Sequence, residues 1–81
     1  MERRFKIAHV SYSDIATYGA KVLEKVQDAL PDGSTVMRQE EDIKTGSQVL
    51  LVHHIGFGLV GEGAECPKLS VTIAEDSVII T

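Results

Sequence analysis

The sequence contains little of the material from which small proteins build covalent or metal cross-links. Its 81 residues include a single cysteine, Cys66, no tryptophan and only four aromatic residues. One cysteine excludes a disulfide within the chain and any zinc site made from several cysteines. A chain of this length buries only about 60% of its unfolded surface, so its core is small and oligomerisation is a common additional source of stability.

Long hydrophobic runs are also missing. No apolar segment approaches the roughly 20 residues that cross a bilayer, and the first residues, MERRFKIAHV, lack the apolar stretch of a signal peptide. A lone thiol is typical of a reducing compartment. We therefore expect a cytoplasmic protein that does not bind membranes.

Positive charge is scarce in the second half of the chain. Residues 1–39 carry six basic and five acidic groups, whereas residues 40–81 carry two basic and seven acidic groups, and the net charge is −4. A net-negative surface repels phosphate backbones, so nucleic-acid binding is not expected. The acidic groups predict either a solvated surface or a face for a basic partner. They are Glu40, Glu41, Asp42, Glu62, Glu65, Glu75 and Asp76.

The hydrophobic spacing predicts one helix, over residues 14–30, with Ser11 and Asp14 as its capping residues. Strands are predicted at residues 5–12, 35–39, 49–60, 68–74 and 78–80, with an acidic corner at 40–42 and a tight turn at 75–77. This order, β-α-β-β-β-(β), predicts a single α+β domain over residues 1–81. We expect a two-layer sandwich with the helix packed on a mainly antiparallel sheet of four to five strands.

In the order of its elements alone, the chain resembles the small flavin-storage dodecins. It contains no dodecin motif and no tryptophan that could stack on a flavin. The resemblance therefore concerns topology, and it assigns no role to any residue.

The strand predicted over residues 49–60 begins apolar on both faces. Val49 and Leu51 share one face, and Leu50 and Val52 share the other. One helix covers only one face of a sheet, so the other face needs a second chain. We therefore expect self-association through the sheet face opposite the helix, with the even-numbered face as the candidate interface.

A glycine pattern follows these residues. Gly56 to Gly61 spells G-x-G-x-x-G, the written form of a dinucleotide-binding fingerprint, but the fingerprint needs a helix directly after it. Gly63 and Pro67 argue against such a helix. The pattern instead predicts a glycine-rich strand end, where Gly56 and Gly58 leave a gap beside His54 for a strand, a subunit or a ligand.

The other reactive residues have no diagnostic spacing. His53 and His54 are adjacent and point to opposite faces of a strand, although His9 could meet one of them if their strands pair. Cys66 or Glu62 could complete a zinc site with two histidines, but no spacing requires it. Cys66 also lacks a partner that would activate its thiol. We expect no enzymatic activity, no metal and no cofactor.

Two functional hypotheses remain. The first is a non-enzymatic, homo-oligomeric protein-binding module: an inhibitor, adaptor or accessory subunit such as viruses and mobile elements often encode. The second is an oligomer that holds a small anionic or nucleotide-like ligand at the subunit interface, with backbone amides and arginines as donors. The candidate binding residues are His53, His54, Gly56, Phe57, Gly58, Gly61, Gly63 and Arg38.

Overall fold

Two helices and two sheets make up the α+β domain in a computed structural model, which describes residues 2–74 and 77–81. The helices are α1 (Tyr12–Tyr18) and α2 (Lys21–Ala29). The strands are β1 (Phe5–Ser11), β2 (Thr35–Asp42), β3 (Ser47–His53), β4 (Lys68–Leu69), β5 (Val71–Ala74) and β6 (Ser77–Ile80).

The main sheet has the strand order β2-β3-β1-β4, and β5 and β6 form a separate antiparallel pair. The pairs β1–β3 and β2–β3 are antiparallel, whereas β1 and β4 run parallel. The predicted α+β class is confirmed. The main sheet is mixed, however, and the additional strands form a second sheet instead of extending the first.

The prediction of one continuous helix over residues 14–30 is wrong. The helical segment begins at Tyr12 and breaks at Gly19, whose φ of 86° and ψ of 170° lie in a region that is essentially restricted to glycine. A Cβ built on Gly19 would have nothing within 4 Å, so this glycine serves the chain turn and not a close approach to the sheet. The N-cap is confirmed, since Ser11 Oγ accepts the Asp14 N–H at 3.1 Å.

Apart from shifts of one or two residues, the strand boundaries differ from the prediction in three places. β3 ends at His53, so residues 54–60 form a loop and not the second half of a strand. The acidic residues 40–42, predicted as a corner, belong to β2. The strand predicted over 68–74 is interrupted at Ser70, whose N–H donates to the Thr81 carbonyl at 3.0 Å. The turn predicted at 75–77 begins with Glu75 and Asp76, which lie outside the described residues.

The core lies between α2 and one face of the main sheet. Ala8, Val10, Leu50 and Val52 project from that face, and they form one buried cluster with residues of α2 that include Val26. The even-numbered face of β3 is therefore interior, and the expectation that it forms an intermolecular interface is wrong. Burying this face is the main contribution to stability, because each buried aliphatic side chain contributes about 1.5–3 kcal/mol.

The odd-numbered residues of β1 and β3 project from the other side of the sheet and, apart from the buried Ser47, are only half-buried. Ile7, Val49 and Leu51 line a shallow groove there together with Arg38 and Glu40 of β2. We call this side of the main sheet the open face. It consists of Phe5, Ile7, His9, Arg38, Glu40, Val49, Leu51, His53 and Lys68.

Candidate binding loop and open sheet face

The segment from His54 to Val60, which we call the glycine loop, turns back on itself directly after β3. The Phe57 N–H donates to the His54 carbonyl at 3.0 Å and closes the turn. Phe57 and Val60 are buried, with 7% and 6% exposure, whereas Ile55 and Leu59 are 79% and 64% exposed. The loop therefore anchors two apolar side chains in the protein and presents two others to solvent.

The first residues of the chain hold the glycine loop in place. Arg4 Nη1 donates to the Phe57 carbonyl at 2.8 Å, and Arg3 Nε donates to the Val60 carbonyl at 3.3 Å. The backbone carbonyls of Arg4 and Arg3 accept the His54 and Val60 N–H groups at 3.2 and 2.7 Å. Both arginines therefore bind the loop backbone and are not simply solvated surface charges.

His54 links the glycine loop to the turn between α2 and β2. The Gly56 N–H donates to His54 Nδ1 at 2.8 Å, so Nδ1 is the acceptor and the ring proton lies on Nε2. Nε2 then donates to the Asp32 carbonyl at 2.8 Å. The imidazole also lies against Phe57, with ring centroids 5.2 Å apart. Both ring nitrogens are therefore occupied within the chain.

The gap predicted beside Gly56 is filled by the protein itself. A Cβ on Gly56 would lie 3.0 Å from His54 Nδ1 and 3.1 Å from Cε1, so the imidazole occupies that space. A Cβ on Gly58 would have nothing within 4 Å. The two glycines lie in a loop and do not share a strand face, which is why the prediction of one common gap fails.

The remaining glycines belong to an exposed turn. The Ala64 N–H donates to the Gly61 carbonyl at 3.0 Å, and Gly63 has a φ of 80°, a value that side chains other than glycine rarely adopt. Residues 61–67 are not helical. The G-x-G-x-x-G segment therefore lacks the helix N-terminus that gives a dinucleotide fingerprint its function.

The other predicted binding residues lie on the open face. His53 stacks edge-on against Phe5 at 5.7 Å, and Arg38 Nη1 lies 3.4 Å from Glu40 Oε1. The structure thus separates the predicted site into three parts, one of which is the exposed turn with Gly61 and Gly63. His54, Gly56, Phe57 and Gly58 belong to the glycine loop, whereas His53 and Arg38 belong to the sheet surface.

The three histidines do not meet. His9 is paired with Val49, and His53 is paired with Phe5, which is four residues away from His9 along β1 and therefore about 13 Å distant. His54 is turned toward Asp32. Residues 2–74 and 77–81 contain no group of three or more His, Cys, Asp or Glu side chains arranged to hold a metal ion.

A serine and a histidine contact each other at the opposite end of the sheet. His9 Nδ1 lies 3.1 Å from Ser47 Oγ, which also bonds Thr45 Oγ1 at 2.7 Å. Ser47 is 3% exposed, so a substrate cannot reach its hydroxyl. This cluster fixes the turn between β2 and β3 and does not have the arrangement of an activated nucleophile.

Asp42 caps the same turn with its carboxylate. Asp42 Oδ1 accepts the N–H groups of Lys44 and Thr45 at 3.1 and 3.4 Å. Partial burial raises the pKa of Asp42, but hydrogen bonds from Thr45 and Lys44 and the charge of His9 outweigh it. The net pKa of Asp42 is lower than its ordinary value of 3.8.

The lowered pKa of Asp42 predicts a loss of stability in acid. A carboxylate with a depressed pKa in the folded state stabilises the protein above its unfolded value of 3.8, and this contribution is lost as the pH falls through the folded pKa. We expect the thermal midpoint of Asp42→Asn to fall less between pH 5 and pH 2 than that of the native chain. Asparagine keeps the acceptor oxygen but does not titrate. Identical pH profiles would contradict this assignment.

The sequence did not identify Ile55 and Leu59 as binding residues, and it predicted Arg3 and Arg4 only as donors to an anionic ligand and not as contacts of the loop backbone. Ile55 and Leu59 were placed in a strand, although two glycines at alternate positions in a strand are themselves a signal that it ends. The arginines carry no local signal, because their partners are backbone carbonyls more than 50 residues away along the chain.

Two further findings bear on the class of protein. None of the helices in the described part of the chain is long and apolar enough to cross a membrane. Models of protein families, curated proteins and solved structures give no significant match to this chain. The fold and the two surfaces therefore carry the functional argument.

Proposed function

We propose that this chain is a small, non-enzymatic protein-binding module that acts as a homo-oligomer, with the glycine loop as its partner-binding surface. The observation that carries the proposal is the exposure of Ile55 and Leu59 on a loop whose backbone is fixed on both sides. Exposed aliphatic side chains that lie close together can form an apolar patch, and such patches mark protein-binding sites.

The anchoring of the loop favours binding. Phe57 and Val60 are embedded in the protein, Arg4 donates to the loop backbone, and His54 bonds the loop to the Asp32 carbonyl. A loop that is ordered before association loses less conformational entropy when the complex forms. Ile55 and Leu59 thus have the features of binding hot spots, which a partner with an apolar pocket would cover.

A small anionic ligand is the alternative, and the geometry supports it less. The two nitrogens of His54 are occupied, and its ring fills the space beside Gly56. Arg3 and Arg4 direct donors at loop carbonyls. A panel of nucleotides in a thermal-shift assay addresses this alternative, because a ligand of the native state raises the unfolding midpoint.

The proposed binding surface predicts the behaviour of a double variant. Ile55→Ser/Leu59→Ser should bind a partner at least about tenfold more weakly, because it removes both exposed aliphatic contacts and leaves the buried anchors in place. The partner is first isolated on the immobilised native chain from extract of the cells that produce the protein. Its affinity for each variant is then measured by surface plasmon resonance.

The matched control is Ile43→Ser. Ile43 is 86% exposed but lies in the turn between β2 and β3, at the opposite end of the main sheet. Its variant should bind like the native chain. Equal affinity of the double variant and the native chain would eliminate the glycine loop as the partner surface.

A further inference from the structure

The open face carries charges whose spacing matches a second copy of itself. The strand register places Arg38, Leu51, Ile7 and Lys68 side by side in one row across the sheet. Two residues further along the strands, Glu40, Val49 and His9 form the next row on the same face. The edge strand β2 therefore contributes a cation to one row and an anion to the other.

We infer that two copies pack open face to open face about a two-fold axis that crosses the strands midway between these rows. This inference rests on the homo-oligomeric part of the proposed function and specifies its geometry. The axis exchanges the two rows, so Arg38 of each copy faces Glu40 of the other, and Val49 faces Leu51. The interface then has an apolar centre, and two symmetric Arg38–Glu40 ion pairs lie along its β2 edge.

The charges select this axis over the other simple arrangement. A two-fold axis parallel to the strands would lay β2 over β4 of the second copy without exchanging the rows. Arg38 would then face Lys68 of the second copy, because the register places both in one row. Like charges brought together at an interface oppose association, whereas the crossing axis makes opposite charges meet.

The charged side chains are free to make these contacts. Arg38 and Glu40 are 67% and 60% exposed, and their mutual ion pair of 3.4 Å within one chain is worth little while solvent surrounds it. In the dimer the four charges form one network. Face-to-face sheets pack about 10 Å apart with strands within about 30° of each other, so long side chains at the edge can span the gap.

The dimer should be of modest affinity. Three strands of seven or eight residues, about 4.8 Å apart, and the two-residue strand β4 form a face that measures at most roughly 20 Å on each side. Two such faces bury an area below that of standard specific interfaces and in the range of weak, transient ones. We therefore expect a monomer–dimer equilibrium in the micromolar range, in which the edge ion pairs have a measurable effect.

A charge-swap experiment tests the pairing. Arg38→Glu gives a face with two acidic residues at this edge, and Glu40→Arg gives a face with two basic residues. Each variant alone should dimerise at least about tenfold more weakly than the native chain, because both cross-interface pairs become repulsive. An equimolar mixture should form a heterodimer of nearly native affinity, since every pair is again of opposite sign.

Sedimentation velocity across a micromolar concentration series gives the dissociation constants, and native mass spectrometry identifies the heterodimer. Lys25→Glu and Glu65→Arg make the same changes of charge at exposed positions outside the open face, and their mixture serves as the control. Circular dichroism and thermal midpoints establish that all variants are folded. Native dimerisation, weakened single variants and recovery on mixing only for positions 38 and 40 support the inference.

The experiment distinguishes an absent dimer from a dimer of different geometry. A native chain that stays monomeric throughout the series overturns both the dimer and the homo-oligomeric part of the proposed function, while partner binding by Ile55 and Leu59 is measured independently. A native dimer that the charge changes do not affect leaves the oligomer in place and overturns this geometry. Weakened variants that do not recover on mixing also overturn it.

Discussion

Phe57→Ala is expected to lower the free energy of unfolding by about 3–5 kcal/mol, the usual cost of removing a buried phenylalanine side chain. Phe57 is 7% exposed and joins the cluster that holds Leu50 and Val52. Its ring also lies 4.9 Å from Lys6 Nζ and 5.2 Å from the His54 ring, so the substitution removes contacts to a cation and an imidazole.

A loss of this size is large for so small a domain, because total stabilities of about 5–15 kcal/mol are usual. Urea denaturation followed by circular dichroism measures the change. Leu59→Ala is the matched control, since Leu59 lies two residues away in the same loop and is 64% exposed. It should change the free energy by no more than about 0.5 kcal/mol. Equal effects of the two substitutions would show that the glycine loop does not belong to the core.

Local sequence patterns predicted the presence of helices and strands better than the residues at which they begin and end. The α+β class followed from strand periodicity at Phe5–Ser11 and from helical spacing after Ser11. The break at Gly19 was not predicted, because an isolated glycine costs only about 1 kcal/mol in a helix and the apolar spacing continues through it. Its positive φ depends on how α2 must turn to reach the sheet, and that is a tertiary requirement.

The end of β3 illustrates the same limit. Residues 49–60 alternate well enough for one strand, and adjacent apolar positions obscure where the strand ends. In the structure the chain leaves the sheet after His53. The His54 ring bonds the Asp32 carbonyl, and Arg4 donates a hydrogen bond to the Phe57 carbonyl in the loop that follows. These partners are distant along the chain, so no local pattern can reveal them.

The proximity of some candidate residues was predicted, but their arrangement was not. His54, Gly56 and Phe57 do lie together, as their sequence neighbourhood indicated, yet His54 acts on its own loop and leaves no vacancy there. The sheet also has apolar residues on a face that the helix does not cover, but this is the odd-numbered face and not the even-numbered one. The alternation of side chains along a strand does not show which of its two faces a helix covers. In the structure Val22 and Val26 belong to the same buried cluster as Leu50, so the helix covers the even-numbered face.

Gly56→Ala is expected to destabilise the protein by about 0.5–1.5 kcal/mol, because displacing the His54 ring disrupts its two hydrogen bonds, to the Asp32 carbonyl and from the Gly56 N–H. The new Cβ would lie 3.0 Å from His54 Nδ1, closer than carbon and nitrogen normally approach. The ring cannot withdraw freely, since Nε2 is bonded to the Asp32 carbonyl and Phe57 lies against it. Urea denaturation of the variant measures the cost.

The sign of the stability change distinguishes displacement of the His54 ring from the loss of backbone freedom that accompanies any glycine-to-alanine substitution. Gly58→Ala meets open space at a φ that is not positive, so reduced freedom of the unfolded chain should leave stability unchanged or raise it by about 0.4–1 kcal/mol. In a His54→Ala background, Gly56→Ala should behave like Gly58→Ala, because the ring that it displaces is gone. A Gly56→Ala effect that is the same with and without His54 would mean that the imidazole is not what requires glycine at this position.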